Sequence, residues 1–168
     1  MSYLTGLKFG LPESIMIHPL ANIAGKVKCG EHCRIDAFVT ITGEVEIGER
    51  THIATGVSIF GVYGVKIGSC CSLSPGAKIF TATDDPRESL LANPQLQEKY
   101  YRTGSVVVGD FSVIAANAVV LPGVNIGESS YLGANSLLKD DLPSGEVWGG
   151  TPAHFLFVRA KLDKDRMR

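Results

Sequence analysis

An aliphatic residue returns at every sixth position along most of this chain. Ile17, Ile23, Ile35, Ile41, Ile47, Ile53 and Ile59 share one register. After a two-residue shift it resumes as Ile67, Leu73 and Ile79. After a longer interruption it returns as Val108, Ile114, Val120, Ile126, Leu132 and Leu138. Four positions after most of these stands a second small or β-branched residue, as at Val39, Val45, Thr51, Val57, Ser112, Ala118, Val124 and Ser130. A glycine often follows the aliphatic residue directly, as at Gly48, Gly68, Gly109 and Gly127.

A helix repeats every 3.6 residues, and an ordinary strand alternates every two with no preference for six. A six-residue unit with two inward positions and a corner makes one short strand and one tight turn. Three such units close a triangle. Stacked triangles form a parallel β-helix, in which each coil buries the inner residues of the next. The predicted fold is therefore all-β, with inner aliphatics stacked in columns.

Composition bounds the partners. The chain has 168 residues and a net charge of −1, which fits one domain without a basic face. That argues against nucleic acid and against a membrane surface. No apolar stretch approaches a membrane span, and the N-terminus does not read as a signal peptide, so a cytoplasmic location is expected. Cys29, Cys33 and Cys71 fall on inward positions, and Cys70 adjoins the last of them. They read as small core residues in a reducing compartment, because their spacing is not that of a zinc site. No metal is expected.

Residues 1–16 lack the hexad and are predicted to cap the first coil. The β-helix is expected over 17–153. The segment Gly61-Val62-Tyr63-Gly64 coincides with the two-residue shift and reads as a bulged corner. The long interruption spans 81–105 and carries Pro86, Pro94, Asp84, Asp85, Arg87, Glu88, Lys99 and Arg102. A charged excursion of this length from a compact repeat points to function. The last coil closes at Val147-Trp148-Gly149-Gly150-Thr151-Pro152-Ala153. Residues 154–168 are predicted to form a short C-terminal helix with apolar Phe155, Leu156, Val158 and Leu162.

The hexads from about 17 to 157 resemble the hexapeptide-repeat acyltransferase family. That resemblance implies a left-handed coil, which spacing alone does not dictate, since most parallel crossovers are right-handed. It also implies a homotrimer with an acyl-CoA in the groove between neighbouring prisms, and acetyl-CoA as cosubstrate.

The stretch Ile79-Phe80-Thr81-Ala82-Thr83-Asp84 is similar to the aliphatic-aromatic-Thr-Ala-Thr-His segment of the family's sugar O-acetyltransferases. Their histidine takes a proton from a hydroxyl. Here Asp84 stands in its place. A hydroxyl needs a base, whereas a neutral amine attacks a thioester with little help. A carboxylate can hold an ammonium and receive its proton. The Asp84-Asp85 pair, with Asn93-Pro94 and Tyr101-Arg102, resembles the subgroup that acylates amino sugars carried on nucleotides for surface polysaccharide.

Asp84 and Asp85 are thus the candidate catalytic residues. His52 precedes inward Ile53, faces outward, and is the alternative base; as an ordinary surface or interface histidine it would have no such role. Ser74, outward after Leu73, is a candidate acceptor contact together with Glu88 and Arg102. By match of the hexads, Ala116 and Ala134 would face the pantetheine, Asn117 would hydrogen-bond it, Lys139 would be the basic contact to the coenzyme, and Arg159 would meet a CoA phosphate. Backbone amides are the expected oxyanion donors. Two alternatives stand beside N-acetylation of a nucleotide-linked amino sugar. One is saccharide O-acetylation with His52 as base. The other is a non-catalytic β-helix that binds partners.

Overall fold

The computed structural model describes residues 4–5, 13–84 and 101–160. They form a left-handed parallel β-helix of about six coils with three walls. The first wall stacks the strands Met16–Ile17, Arg34–Ile35, His52–Ile53, Ser72–Leu73, Val113–Ile114, Tyr131–Leu132 and Glu146–Gly150. The second wall stacks Ile23, Ile41, Ile59, Ile79, Val120 and Leu138. The third stacks Cys29, Ile47, Ile67, Val108 and Ile126, with Leu142 bridged above.

Successive coils are related by 18 residues in the regular parts, as in the register Met16↔Arg34↔His52. His52 pairs with Ser72, 20 positions on, because two extra residues intervene. Those two residues lie at the second corner. There Gly43 pairs with Gly61 but Val45 pairs with Val65, which makes the expected bulge. Ser72 pairs with Val113, and the excursion lies between them.

The interior is one apolar column per wall. Ile17, Ile35, Ile53, Leu73, Ile114 and Leu132 are all fully buried along the first wall. At the third corner the inner residues are polar or thiol: Cys33, Thr51, Cys71, Ser112 and Ser130. Each donates to a carbonyl of the next coil. Thr51 Oγ1 donates to Gly68 O at 2.8 Å, Ser112 Oγ to Gly127 O at 2.7 Å and Ser130 Oγ to Pro143 O at 2.7 Å. Cys33 Sγ donates to Gly48 O at 2.9 Å and Cys71 Sγ to Gly109 O at 3.2 Å. Burial pushes the Cys29 thiol up to about 12 and the Cys71 thiol up to about 11. Cys33 and Cys71 are neutral core donors. The glycines beside this corner are obligatory for a spatial reason: a Cβ on Gly109 would stand 2.5 Å from Glu128 N of the next coil.

Both ends are closed by strands that run antiparallel to the stack. Leu4–Thr5 pairs with Met16–Ile17 below the first coil. At the other end Ala153–Val158 turns back on Glu146–Gly150, with a bulge at Val147/Trp148. The helix predicted over 154–168 is therefore corrected: residues 154–158 are strand, and 161–168 lie outside the described residues. The open edge of the last coil explains this. It presents unpaired backbone groups, and the segment Phe155-Leu156-Phe157-Val158 is rich in strand-favouring residues.

Candidate functional site

Buried aliphatic side chains fill the inward positions of the walls, and the described candidate residues lie at corners and on outer faces. The first corner joins the first and second walls. It carries Ser74, half-buried, and above it Ala116, Asn117 and Ala134. These share one column: Asn117 N donates to Pro75 O at 3.0 Å, and Asn135 N to Ala116 O at 2.9 Å. Asn117 holds a left-handed φ of 56°, at a position that Gly76 fills one coil below with φ 73°. Asparagine tolerates that conformation better than bulkier residues do.

The second corner carries the excursion. Its described ends, Ala82–Asp84 and Tyr101–Thr103, pair antiparallel, with Asp84 opposite Tyr101 and Thr83 opposite Arg102. Asp84 is exposed. The hairpin is anchored by Thr81, fully buried, whose Oγ1 donates to Phe60 O at 2.7 Å and accepts from Tyr63 N at 3.1 Å. Phe60 and Phe80 stack beside it with ring centroids 5.3 Å apart. Arg102 Nη2 donates to Lys139 O at 3.1 Å, and Lys139 Nζ to Asp140 at 2.7 Å. Arg102 and Lys139 therefore belong with Asp84 at this corner. Asp85 and Glu88 lie outside the described residues.

Arg159 is at the third corner. Its Nη1 donates to Phe111 O at 3.1 Å and Ser129 O at 3.4 Å. Within one chain the fold does not bring it to Ala116, Asn117 and Ala134.

His52 is on the first wall, half-exposed. Its Nε2 lies 2.8 Å from Asp36 Oδ2. Asp36 is only 9% exposed and takes a two-pronged contact from Arg34, at 2.7 Å from Nε and 3.1 Å from Nη2. Asp36 and Arg34 were not among the candidates. The coil length could have found them, because Asp36 flanks Ile35 and His52 flanks Ile53, and those isoleucines stack one coil apart. The other histidines are scattered. His18 Nδ1 accepts from Leu20 N, His32 sits beside Glu31, and His154 lies against Pro152 O. Among the described residues no group of three or more His, Cys, Asp or Glu is placed to hold a metal.

A shallow groove of about 590 Å³ runs along the third wall between Lys26, Lys28, Lys66 and Tyr63. Its lysines are paired with glutamates, Lys26 with Glu44 at 2.9 Å and Lys28 with Glu46 at 3.0 Å.

The family model for bacterial transferase hexapeptide repeats matches residues 26–61 and 105–140, on either side of the excursion. Over those two segments the chain is similar to the bacterial hexapeptide-repeat transferases. It is 28% identical over 156 residues to dTDP-4-amino-4,6-dideoxy-D-glucose acyltransferase of Escherichia coli, covering 89% of this chain and 81% of that one. It is 40% identical over 60 residues to a 2,3,4,5-tetrahydropyridine-2,6-dicarboxylate N-acetyltransferase of Clostridium perfringens, covering 36% of this chain and 25% of that one. Across such relatives the hexapeptide-repeat chain spans from 14% to 81% of their length.

Among solved structures it is similar to AntD, an N-acyltransferase from Bacillus cereus in complex with dTDP and coenzyme A. The TM-score is 0.88 at 25% identity, over 95% of this chain and 92% of that one. Variants of AntD have been solved with an aspartate replaced, and with a serine ten positions earlier replaced. One of the serine variants holds dTDP-4-amino-4,6-dideoxyglucose and coenzyme A. Ser74 and Asp84 have the same separation in this chain.

Proposed function

We propose that this protein transfers an acetyl group from acetyl-CoA to the amino group of a nucleotide-linked amino sugar, for surface polysaccharide. The observation that carries the reading is the match to AntD along nearly the whole chain, together with the Ser74/Asp84 spacing. Asp84, exposed at the base of the hairpin, holds the acceptor's ammonium and takes its proton. Ser74 offers a hydroxyl to the same nitrogen or to the thioester oxygen. The freed amine attacks the thioester carbonyl, and the CoA thiolate leaves. Ala116, Asn117 and Ala134 line the first corner with small or short side chains, which suits an extended pantetheine arm. Arg102 and Lys139 bring positive charge beside Asp84. No metal is assigned a role.

The active assembly is a homotrimer in this reading. Ser74 and Asp84 stand at different corners, and a neighbouring prism that docks one against the other completes the site. The cosubstrate and the nucleotide sugar place the reaction in the cytoplasm.

The test is a thiol-release assay with acetyl-CoA and a panel of dTDP-, UDP- and GDP-linked amino sugars, paired with the matching hydroxyl sugars. Thiol release with an amino sugar and none with its hydroxyl counterpart supports the reading. Release with hydroxyl acceptors alone overturns it.

A further inference from the structure

Across three successive coils of the first wall, Arg34, His52 and Ser72 are in-register neighbours. Each precedes an inward residue, Ile35, Ile53 or Leu73, so all three face out. The positions that follow those inward residues also stack: Asp36 N donates to Ile53 O, Ala54 N to Leu73 O and Ser74 N to Ile114 O, all between 2.8 and 2.9 Å. His52 is therefore the diagonal neighbour of Ser74. Ala54, with no side chain beyond its Cβ, is the position between Asp36 and Ser74.

The protonation pattern at His52 follows from its partners. A carboxylate gripped by a guanidinium fork accepts hydrogen bonds and donates none. His52 Nε2 must then be the N–H that donates to Asp36. In the neutral ring the lone pair sits on Nδ1, which is the nitrogen available to take a proton. Arg34 fixes Asp36, and Asp36 fixes the ring. An imidazole, with a reference pKa of about 6.5, is a stronger proton acceptor than a carboxylate at about 3.9.

We propose that His52 is a catalytic base of the acyl transfer, and that Asp36, clamped by Arg34, is the residue that positions it. The proposal rests on the acyltransferase reading above and adds a proton acceptor to it. The amine nitrogen bonds to the thioester carbon, and the carbonyl π electrons move to oxygen. The positively charged nitrogen of this adduct gives its proton to His52 Nδ1. The carbonyl re-forms, the C–S bond breaks, and the electron pair leaves on the CoA sulfur. The imidazolium, paired with Asp36, returns its proton to the thiolate or to water. Asp84 acts earlier, when the acceptor is still an ammonium ion. The competing view is that Arg34, Asp36 and His52 are a surface ion cluster with no part in the reaction.

Kinetics on the full chain separates these views, and a second measurement tests the dyad on which the base depends. The kinetic variants are His52→Ala, His52→Gln and Asp36→Asn. Glutamine keeps an amide N–H for Asp36 but has no basic nitrogen, so it guards against loss of fold. Both His52 variants should lose about 100-fold in kcat, with KM for acetyl-CoA within about twofold, and added imidazole should restore part of the His52→Ala activity. Asp36→Asn should lose about tenfold or more. Full activity of His52→Gln overturns the proposal, as does a folded but inactive His52→Ala that imidazole does not rescue. The second is long-range ¹H–¹⁵N NMR of the free protein, which needs no substrate. The Nε2–H tautomer of His52, lost in Asp36→Asn, supports the dyad, and an Nδ1–H tautomer overturns it. A wild-type protein that acylates no amino sugar while showing the Nε2–H tautomer would refute the acyltransferase reading and, with it, the base assigned to that reaction; the dyad alone would stand.

Discussion

Ser74 and Asp84 stand at opposite ends of one wall. Ser74 closes the first corner, the strand Lys78–Phe80 crosses the second wall, and Asp84 lies in the hairpin beyond the second corner. At roughly 3.3 Å per residue, the segment from Ala77 to Thr81 alone covers about 13 Å. One prism thus separates two groups that the proposed reaction uses together, whereas adjacent prisms can bring them to one groove.

Complementation between chains follows from this separation. Ser74→Ala and Asp84→Asn should each be nearly inactive alone. Co-refolded in equal amounts, they should recover about a quarter of wild-type activity, because random assortment in a closed ring leaves about one intact groove in four. Light scattering should give three times the chain mass. A monomer, or no recovery on mixing, contradicts the shared groove.

Asp84→Asn should lower kcat by at least about tenfold on an amine acceptor and leave KM for acetyl-CoA nearly unchanged, because the carboxylate is assigned to the acceptor. Steady-state kinetics against both substrates reads this directly. A rise in KM for acetyl-CoA with kcat intact would move Asp84 to the coenzyme.

The third-corner column makes a stability prediction. Ser112 Oγ donates to Gly127 O and accepts from Ser130 N at 3.1 Å, so Ser112→Ala leaves two buried groups without partners. The cost should be about 1–3 kcal/mol by chemical denaturation. Ser112→Cys should cost less, because Cys33 and Cys71 fill the same column and make the same kind of bond. Equal loss in both variants would contradict the column's tolerance for a thiol.

The core was legible because its signal is repetitive. Ile35, Ile53 and Leu73 recur at hexad spacing and stack as read, and the two-residue shift at Gly61–Gly64 appears as the bulge opposite Gly43 and Val45. The C-terminal segment was misread as a helix. Its fate depends on the exposed edge of Glu146–Gly150, a tertiary feature that local pattern does not contain. The site was legible only residue by residue. Ser74, Ala116 and Asn117 could be placed outward from the hexad, but the clasp of Arg34 and Asp36 on His52 required counting coils rather than hexads. Arg159, expected to meet a CoA phosphate, donates to the carbonyls of Phe111 and Ser129 at the third corner, a placement set by the closing strand that hexad spacing does not give.

Thiol chemistry gives a pH-linked test. Burial raises the Cys29 and Cys71 thiols from an ordinary 9.0 to about 12 and about 11, and burial also raises Cys33. These three should resist alkylation of the native protein at pH 8, leaving Cys70, which is only half-buried, as the thiol that reacts. Their raised values also favour the fold below about pH 9, and that contribution is lost as pH climbs through about 11 and 12. Mass spectrometry of alkylated peptides, with and without denaturant, checks the first point, and alkaline melting curves check the second. Rapid native labelling of Cys71 would contradict its place in the column.

The most direct test of the acyl-transfer account is the product itself. The protein is incubated with ¹³C-acetyl-CoA and dTDP-4-amino-4,6-dideoxyglucose, and the sugar is examined by mass spectrometry and NMR. The account predicts one acetyl group on the sugar nitrogen as an amide, with one CoA thiol released per product and the yield suppressed in Asp84→Asn. An acetyl ester on a sugar hydroxyl, or an amino sugar recovered unchanged from this and every other nucleotide-linked acceptor tried, would contradict it.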